Sequence, residues 1–323
     1  MSTAGAEFPN PPESLGQGWV EAAIVSISSP FREIERWDYV MNVRVRLLLF
    51  WVGANDVGGG SISKGSLTTD SSSQVIKLLI GSDPMKAPRK INHWGSAMEV
   101  HRNGGTESHF FGFMKSSKAA SAKDAEAETS SKDAFAFEAN ISHANGAEAL
   151  ARVVPFSSSR DFTFRDLEAA QDTMIRRVSG RGVSDKDGPF RRLTDSRPGC
   201  SRTQGFLQAV ERLVEHAVSS RAVPSDQCYV HNARYYTISL RKAEPVKSAQ
   251  VKIKLRNGKA FERSYENLTQ ADFEVLNHES KERTRFDLLL GSSGNLRGVP
   301  VQIHYQPNWW FQTTLHLDTR NSL

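Results

Sequence analysis

Glu99, His101 and His109 are the residues whose types and spacing best suit metal chemistry in this sequence. Glu99 and His101 alternate along one predicted strand, so they project from one face, and His109 lies on the strand expected to pair with it. Imidazole and carboxylate groups from adjacent strands can bind a divalent cation. His93 lies roughly 26 Å from His101 along an extended strand, too far to share an ion. Glu99, His101 and His109 are therefore candidate metal ligands, and a solvated polar face of the sheet explains them equally well.

Serine and cysteine offer weaker patterns for nucleophilic catalysis. Ser61 and Lys64 match S-x-x-K, but the match falls in a predicted turn and lacks the accompanying motifs. Cys228 and His231 are three apart in a predicted strand, which points their side chains to opposite faces. Cys200 lies near a predicted helix start, where a thiolate is favoured, but no partner can be named for it. The catalytic residues are therefore unknown, and the sequence leaves open whether the protein is an enzyme.

Anion binding is the chemistry suggested by a group of arginines between residues 160 and 202. Arginine forms bidentate contacts with phosphate, so this region could bind nucleic acid or another anion. Acidic neighbours dilute its charge, and a solvated, salt-bridged loop is the main interpretation. The glycines Gly58 to Gly60 match neither a Walker loop nor G-x-G-x-x-G, and we interpret them as a mobile hairpin tip. The candidate anion-binding residues are Arg176, Arg177, Arg191 and Arg192.

Tryptophan supplies the last candidate site. Trp309 and Trp310 follow Pro307 near the start of the last predicted strand, and consecutive residues of a strand point to opposite faces. An indole buries a large apolar area and keeps one N–H donor for a ligand. We predict a ligand pocket on the concave face of a sheet near Trp309 and Trp310, with Trp94 and Trp51 as further lining residues. Packing under the helices is the alternative.

The elements that must position these residues are mainly β-strands. Short runs of β-branched and aromatic residues, separated by Gly, Asn, Ser and Pro, are typical of strands and turns. Amphipathic helices are predicted at Thr163–Val178 and Gln204–Ser219. Strands joined by short links are normally antiparallel neighbours. The expected strands are Trp19–Ile27, Trp37–Val52, Ile91–Arg102, Ser108–Lys115, Ala134–His143, Glu148–Val154, Cys228–Leu240, Gln250–Leu255, Ala260–Tyr265, Asp272–Leu276, Arg283–Leu290, Val299–Tyr305 and Trp310–Leu317.

The sequence thus predicts a mainly β protein: an antiparallel curved sheet, barrel or sandwich with a central two-helix segment. The 323 residues divide into a flexible leader at 1–18, an N-terminal β half at 19–155, a helical segment with a basic loop at 156–225 and a C-terminal antiparallel meander at 226–323. We expect the halves to form one structural unit. An apolar strand followed by a Gly-containing turn occurs at both Val45–Gly58 and Phe286–Gly298, which raises the alternative of two similar β halves.

Composition limits the class of protein. Hydrophobic residues make up 38% and charged residues 24%, which supports a core and argues against disorder. A net charge of +5 over this length gives only modest attraction for anions. Two cysteines are too few for a disulfide scaffold, and two buried thiols are expected rather than one disulfide. Without an export signal or a membrane-length apolar run, we expect a cytoplasmic location, unless a signal has been trimmed away.

Three functions from different classes are consistent with the sequence. The favoured one is a soluble β-rich binding protein that holds an apolar or amphipathic small molecule on the concave face of a sheet. The second is an enzyme of unrecognised family, a hydrolase or lyase using His101 and Glu99 with or without metal. The third is a structural or nucleic-acid interaction protein using the arginine-rich loop, with nucleic acid the less expected partner. No cofactor can be named. The run from Gly298 to Tyr305 resembles, in general character, bacterial β-rich domains of unknown function, and the resemblance assigns no residue a role.

Overall fold

The computed structural model describes residues 30–47, 50–87, 93–115, 133–142, 148–157, 164–179, 190–193, 203–219, 225–231, 233–308 and 311–319. The helices in these ranges are α1 (Phe164–Ser179) and α2 (Phe206–Ser219). The strands are β1 (Phe31–Leu47), β2 (Phe50–Leu67), β3 (Asp70–Ser82), β4 (Trp94–Arg102), β5 (Glu107–Lys115), β6 (Asp133–Ser142), β7 (Glu148–Ser157), β8 (Arg191–Leu193), β9 (Thr203–Gly205), β10 (Asp226–His231), β11 (Arg234–Lys254), β12 (Ala260–Asn277), β13 (Arg283–Gly291), β14 (Pro300–Asn308) and β15 (Phe311–Leu317).

These strands form one 15-stranded sheet, in the order β8-β7-β6-β5-β4-β3-β2-β1-β15-β14-β13-β12-β11-β10-β9. Within the run from β1 to β8, consecutive strands pair antiparallel, and the same holds within the run from β10 to β15. The two meanders meet where β1 pairs antiparallel with β15, and β9 adds to β10 in parallel. The predicted fold class and the C-terminal antiparallel meander are confirmed.

The sheet is curved, and breaks in strand register accompany the curvature. Register shifts occur in β1, β2, β11, β13 and β14. A β-bulge bends its strand and increases the local twist. Strands this long and numerous therefore roll into a curl instead of spreading as a flat layer, although the sheet is not closed into a barrel.

Helix α2 lies inside the curl, because strands from both meanders contact it. On one side Lys64 of β2 donates a hydrogen bond to Glu211, at a distance of 2.6 Å. On the other side Leu213 belongs to a buried cluster with Ile238 of β11 and Leu288 of β13. The predicted apolar stripe of this helix is confirmed as a core-facing surface, since Leu213 is fully buried.

Helix α1 lies on the outer face of β3 and β4. Its buried side chains Leu167 and Met174 pack with Val75, Leu79 and Met98. Successive side chains of a strand point to opposite faces, so the residues between these positions face inward. The sheet in this region is therefore covered on both sides, by α1 outside and by the interior of the curl.

The hairpin formed by the distal parts of β11 and β12 covers the inner face at β1 and β15. Val251 and Tyr265 of this hairpin pack with Tyr39 of β1 and with Leu315 and Leu317 of β15. Loss of apolar surface to water is the main stabilising contribution of such a contact. The hairpin thus shields the inner side of β1 and β15 from water.

The sequence-based prediction is wrong between Trp37 and Ser82. The segment Trp37–Val52, predicted as one strand, includes the end of β1 and the start of β2, and β3 was not predicted. Gly58 to Gly60 lie inside β2 and not at a hairpin tip. A Cβ at Gly58 would come within 2.1 Å of the Gly81 carbonyl oxygen, so the neighbouring strand approaches too closely for a side chain. The predicted strand Trp19–Ile27 and the leader 1–18 lie outside the described residues.

The expected pair of thiols is also wrong, because Cys228 is disulfide-bonded. The other cysteine of the sequence, Cys200, lies outside the described residues. Neither helix of the described chain is long and apolar enough to cross a membrane.

Candidate functional site

A cavity of about 1240 Å³ lies between α2 and the inner face of the curled sheet. Strands β1 to β3 form one wall, β12 to β15 form another, and α2 with β10 forms the third. Small-molecule pockets are usually apolar concavities of roughly 300–1,000 Å³. The space is therefore large enough to enclose a small molecule. Apolar residues supplied by all three walls include Trp37, Ile62, Leu78, Phe206, Phe286 and Ile303.

Ion pairs hold charged side chains of the lining against α2. Lys64 pairs with Glu211 at 2.6 Å, and Arg297 pairs with Glu215 at 3.4 Å. All four side chains line the cavity and are partly exposed. They give the apolar space a charged margin, which suits a ligand with a polar end.

Three further polar side chains of the lining, those of His231, Tyr229 and Tyr305, are uncharged at neutral pH. Burial lowers the pKa of His231 to about 4. Burial likewise raises the pKa of the Tyr229 and Tyr305 hydroxyls, and the neighbouring Tyr236 adds to the effect at Tyr229. These side chains can therefore donate or accept hydrogen bonds inside the cavity without bringing a charge into it.

The ring of His231 is fixed by aromatic neighbours from both meanders. Its centroid lies 4.3 Å from that of Phe137 on β6 in an edge-on arrangement, 5.9 Å from that of Phe110 on β5 and 6.3 Å from that of Phe206 on α2. Such pairs stabilise by about 0.5–1.5 kcal/mol beyond the area they bury. This cluster brings the β10 end of the sheet against β5 and β6.

Glu99 makes a polar contact between the same parts of the molecule. Its carboxylate accepts hydrogen bonds from the backbone N–H groups of Leu207 and Gln208, at the start of α2. Negative charge at a helix N-terminus is favourable because the first N–H groups lack partners within the helix. Gly205 makes room for it, since a Cβ there would lie 2.3 Å from a Glu99 carboxylate oxygen. Glu99 is completely buried and anchors α2 to β4.

The predicted metal site does not assemble. Glu99 and His101 share the inner face and lie 3.3 Å apart, and the Glu99 carboxylate already binds the start of α2. His109 pairs with Val100, so it lies on the outer face, where it contacts Glu138 and Asn140. The cause of the error is the register, which sets Ser108 and not His109 opposite His101. No group of three potential metal ligands occurs among the described residues.

The outer-face histidine belongs to a buried ion-pair network. His109 Nε2 lies 3.1 Å from Glu138, and Arg152 donates two hydrogen bonds to the other oxygen of that carboxylate. Burial favours a higher pKa for Glu138, but hydrogen bonds and charge from His109 and Arg152 outweigh it and lower the pKa. Removing one partner of a buried ion pair with good geometry destabilises the protein strongly, because the other charge is left buried and uncompensated. The network joins β5, β6 and β7 on the face opposite the cavity.

The predicted tryptophans divide into three cases. Trp309 and Trp310 lie outside the described residues; strand β15, which begins at Phe311, lines the cavity through Thr313 and Leu315. Trp94 is 4% exposed and packs under α1 on the outer face. Trp51 is 40% exposed beside the turn between β1 and β2. Neither Trp51 nor Trp94 lines the cavity.

Of the predicted anion-binding arginines, Arg191 and Arg192 are the two whose side chains the structure describes. Arg191 and Arg192 are exposed on β8, the short strand at one edge of the sheet. Arg176 and Arg177 belong to the last part of α1, and their side chains lie outside the described set. Arg191 and Arg192 are not part of the cavity lining.

Trp37, Phe206, Tyr229 and Tyr305 line the cavity but were not predicted from the sequence as ligand-binding residues. A signal for Phe206 was present, because the helical stripe that begins there is cleaner than that of α1. Nothing in the sequence distinguishes the inner from the outer face of strands that are buried on both sides. Ser61 and Lys64 do not form a catalytic pair, because residues three apart in β2 point to opposite faces.

No protein-family model matches the sequence. No curated protein matches it. Among solved structures, the chain is similar to a beta-barrel-like protein of the domain of unknown function DUF1849 from Brucella abortus, with 8% sequence identity and a TM-score of 0.42. The match covers 88% of this chain and 94% of that one. Any proposal about function therefore has to rest on the structure of this chain.

Proposed function

We propose that the protein binds an apolar or amphipathic small molecule in the cavity between α2 and the inner face of the sheet. The supporting observation is the cavity itself, with about 1240 Å³ of space and apolar side chains on all three walls. When an apolar part of a ligand displaces water from the apolar surface of such a space, the free energy of the system falls. A cavity of this size is not an ordinary packing defect, since protein interiors hold few voids larger than one water molecule.

An amphipathic ligand fits the distribution of polarity. Apolar residues such as Ile62, Leu78 and Phe286 face the space, while the ion pairs of Lys64 and Arg297 border it. A binding role also agrees with the fate of Glu99 and His101. The Glu99 carboxylate binds the start of α2, both side chains are buried, and neither lines the cavity, so a hydrolase or lyase using this pair is not supported.

The experiment fills the cavity from one wall. Ile62→Trp places a larger side chain in the space, whereas Ile34→Trp makes the same change at a position on β1 that is 66% exposed. Displacement of the fluorescent probe anilinonaphthalene sulfonate measures the affinity for medium-chain alcohols and fatty acids. We expect Ile62→Trp to weaken binding by about tenfold or more, and Ile34→Trp to leave it unchanged.

A thermal unfolding curve of Ile62→Trp checks that the variant is folded, because overpacking alone can destabilise a protein. Ile303→Trp repeats the test from the opposite wall if the first variant is unstable. Equal affinity in wild type, Ile62→Trp and Ile303→Trp would contradict the proposal. So would wild-type protein that binds none of the compounds.

A further inference from the structure

His231 is a hydrogen-bonding side chain in the cavity wall whose capacity the protein leaves unused. Its ring lines the cavity, and its Nδ1 atom is enclosed by protein without a hydrogen-bond partner in the described part of the chain. A polar side chain that lines a cavity without a partner loses hydrogen bonds unless a ligand or water completes them. Nδ1 is out of reach of a ligand, whereas Nε2 has no partner among the described residues and is not enclosed in this way, so Nε2 is the atom that a ligand in the cavity can contact.

Two comparisons within the chain show that His231 differs from similar histidines by its place in the cavity wall. His216 and His316 also have a buried Nδ1 atom without a partner among the described residues, but neither lines the cavity. The His231 ring is also held in place, because Phe137, Phe110 and Phe206 pack around it. A fixed ring presents its hydrogen-bonding groups without paying the entropy of ordering them on binding.

The polar groups that share this part of the lining are neutral. Tyr229 and Tyr305 have phenol groups whose pKa is raised by burial, and the pKa of His231 is lowered by burial. A neutral imidazole offers one N–H donor and one nitrogen acceptor. Taking an ionised carboxylate into this environment would be costly, since it would lose its hydration without meeting a cation. A hydroxyl or carbonyl group loses far less.

We infer that the ligand carries an uncharged hydroxyl or carbonyl group that hydrogen-bonds to His231 inside the cavity. The inference rests on the proposed function and adds the chemistry of the ligand's enclosed end. In this arrangement the apolar body of the ligand contacts walls such as Ile62 and Phe286, while His231 sets its orientation. Tyr229 and Tyr305 are further hydrogen-bonding groups of the same lining.

The test compares three compounds of one chain length, namely a primary alcohol, the corresponding alkane and the corresponding fatty acid as carboxylate. Their affinities are measured at neutral pH by displacement of the fluorescent probe from wild type, His231→Phe and His316→Phe. One hydrogen bond contributes about 1 kcal/mol, so we expect wild type to prefer the alcohol over the alkane by about fivefold. His231→Phe keeps an aromatic ring and should remove that preference.

His316→Phe is the matched control, because burial also lowers the pKa of His316 while its side chain lies away from the cavity. It should keep the alcohol preference. Equal affinity for alcohol and alkane in wild type, or an unchanged preference in His231→Phe, would overturn the inference and leave the proposed function standing. The same holds if the carboxylate binds most tightly in both. Failure of all three compounds to bind wild type would instead overturn the proposed function, and this inference with it.

Discussion

Glu99 joins one meander to α2 through a single buried carboxylate. The group accepts hydrogen bonds from the N–H groups of Leu207 and Gln208, and His101 lies 3.3 Å from it. Such a carboxylate stabilises twice, by satisfying N–H groups that the helix cannot pair and by opposing the positive end of the helix dipole. Glu99, which the sequence suggested as a metal ligand, thus anchors a helix in the structure.

We predict that Glu99→Gln lowers the free energy of unfolding by about 1–3 kcal/mol, because an amide binds the two N–H groups less strongly than a carboxylate does. Glu107→Gln is the control, since Glu107 is exposed at the start of the adjacent strand β5. Urea unfolding monitored by circular dichroism measures both. If the two variants lose equal stability, the anchoring role of Glu99 is wrong.

We predict that His231 contributes to acid sensitivity. Burial lowers its pKa from 6.5 to about 4, so between these pH values the unfolded chain binds a proton that the folded chain does not. The associated stability is complete above pH 6.5 and is lost as the pH falls toward 4. At about 1.4 kcal/mol per pKa unit, the loss reaches roughly 3 kcal/mol. His231→Phe should flatten the stability profile across this window, and unfolding curves at several pH values would show whether it does.

At the scale of elements, the helices were the most predictable part of the structure. The stripe containing Leu207, Leu213 and Val214 has a helical period, and the structure buries all three. Helix α1 likewise begins at Phe164, one residue after the start predicted at Thr163. A period of 3.6 can be read locally because every residue that produces it lies within one helix.

Strands β2 and β3 were not predictable by the same reasoning. Strand β2 contains Gly58, Gly59, Gly60 and Gly65 among serines, which are residues that usually mark turns. At Gly58 and Gly59 a Cβ would collide with the carbonyl oxygens of Gly81 and Tyr39 on the neighbouring strands, and that close approach exists only in the folded sheet. The cavity was unpredictable for a related reason, because its walls come from strands far apart in the chain.

We predict that Leu213→Ala in α2 lowers the free energy of unfolding by about 2–5 kcal/mol, through lost burial and the void left behind. Leu213 is completely buried among Ile238 and Leu288. Glu211→Ala, on the same helix, removes a partly exposed ion pair with Lys64 and should cost less than about 1 kcal/mol. Similar losses in the two variants, measured by chemical unfolding, would show that the stripe of α2 does not carry the core contact.

At the scale of the whole molecule, the two ends of the sheet approach each other without forming a strand pair between them in the described residues. The contacts there are side-chain contacts: Glu99 with α2, the aromatic cluster around His231, and the Tyr235 hydroxyl, which donates to the Leu193 carbonyl oxygen at 3.0 Å. We call this region the seam. It joins β4, β5, β6 and β8 to β10, β11 and α2.

We predict that Tyr235→Phe loosens the seam. Loss of its hydrogen bond to Leu193 should cost about 1 kcal/mol and increase amide hydrogen exchange in β8 and β9, with little change in β12 and β13. Tyr236→Phe is the matched control, because the Tyr236 hydroxyl contacts Asn277 of the adjacent strand β12 and not the opposite end of the sheet. Hydrogen exchange that rises equally across the sheet in Tyr235→Phe would contradict a separate seam.

The seam also affects the girth of the molecule. A closed barrel has a circumference fixed by its strand number and stagger, and it changes only if backbone hydrogen bonds break. Here the ladder of strand pairs runs from β8 to β9 and the described ends meet through side chains. A change in circumference at the seam would therefore break side-chain contacts and leave the strand pairs of the ladder in place. For the proposed ligand, we expect the limit on size to be set by these side-chain contacts and not by a closed strand ladder.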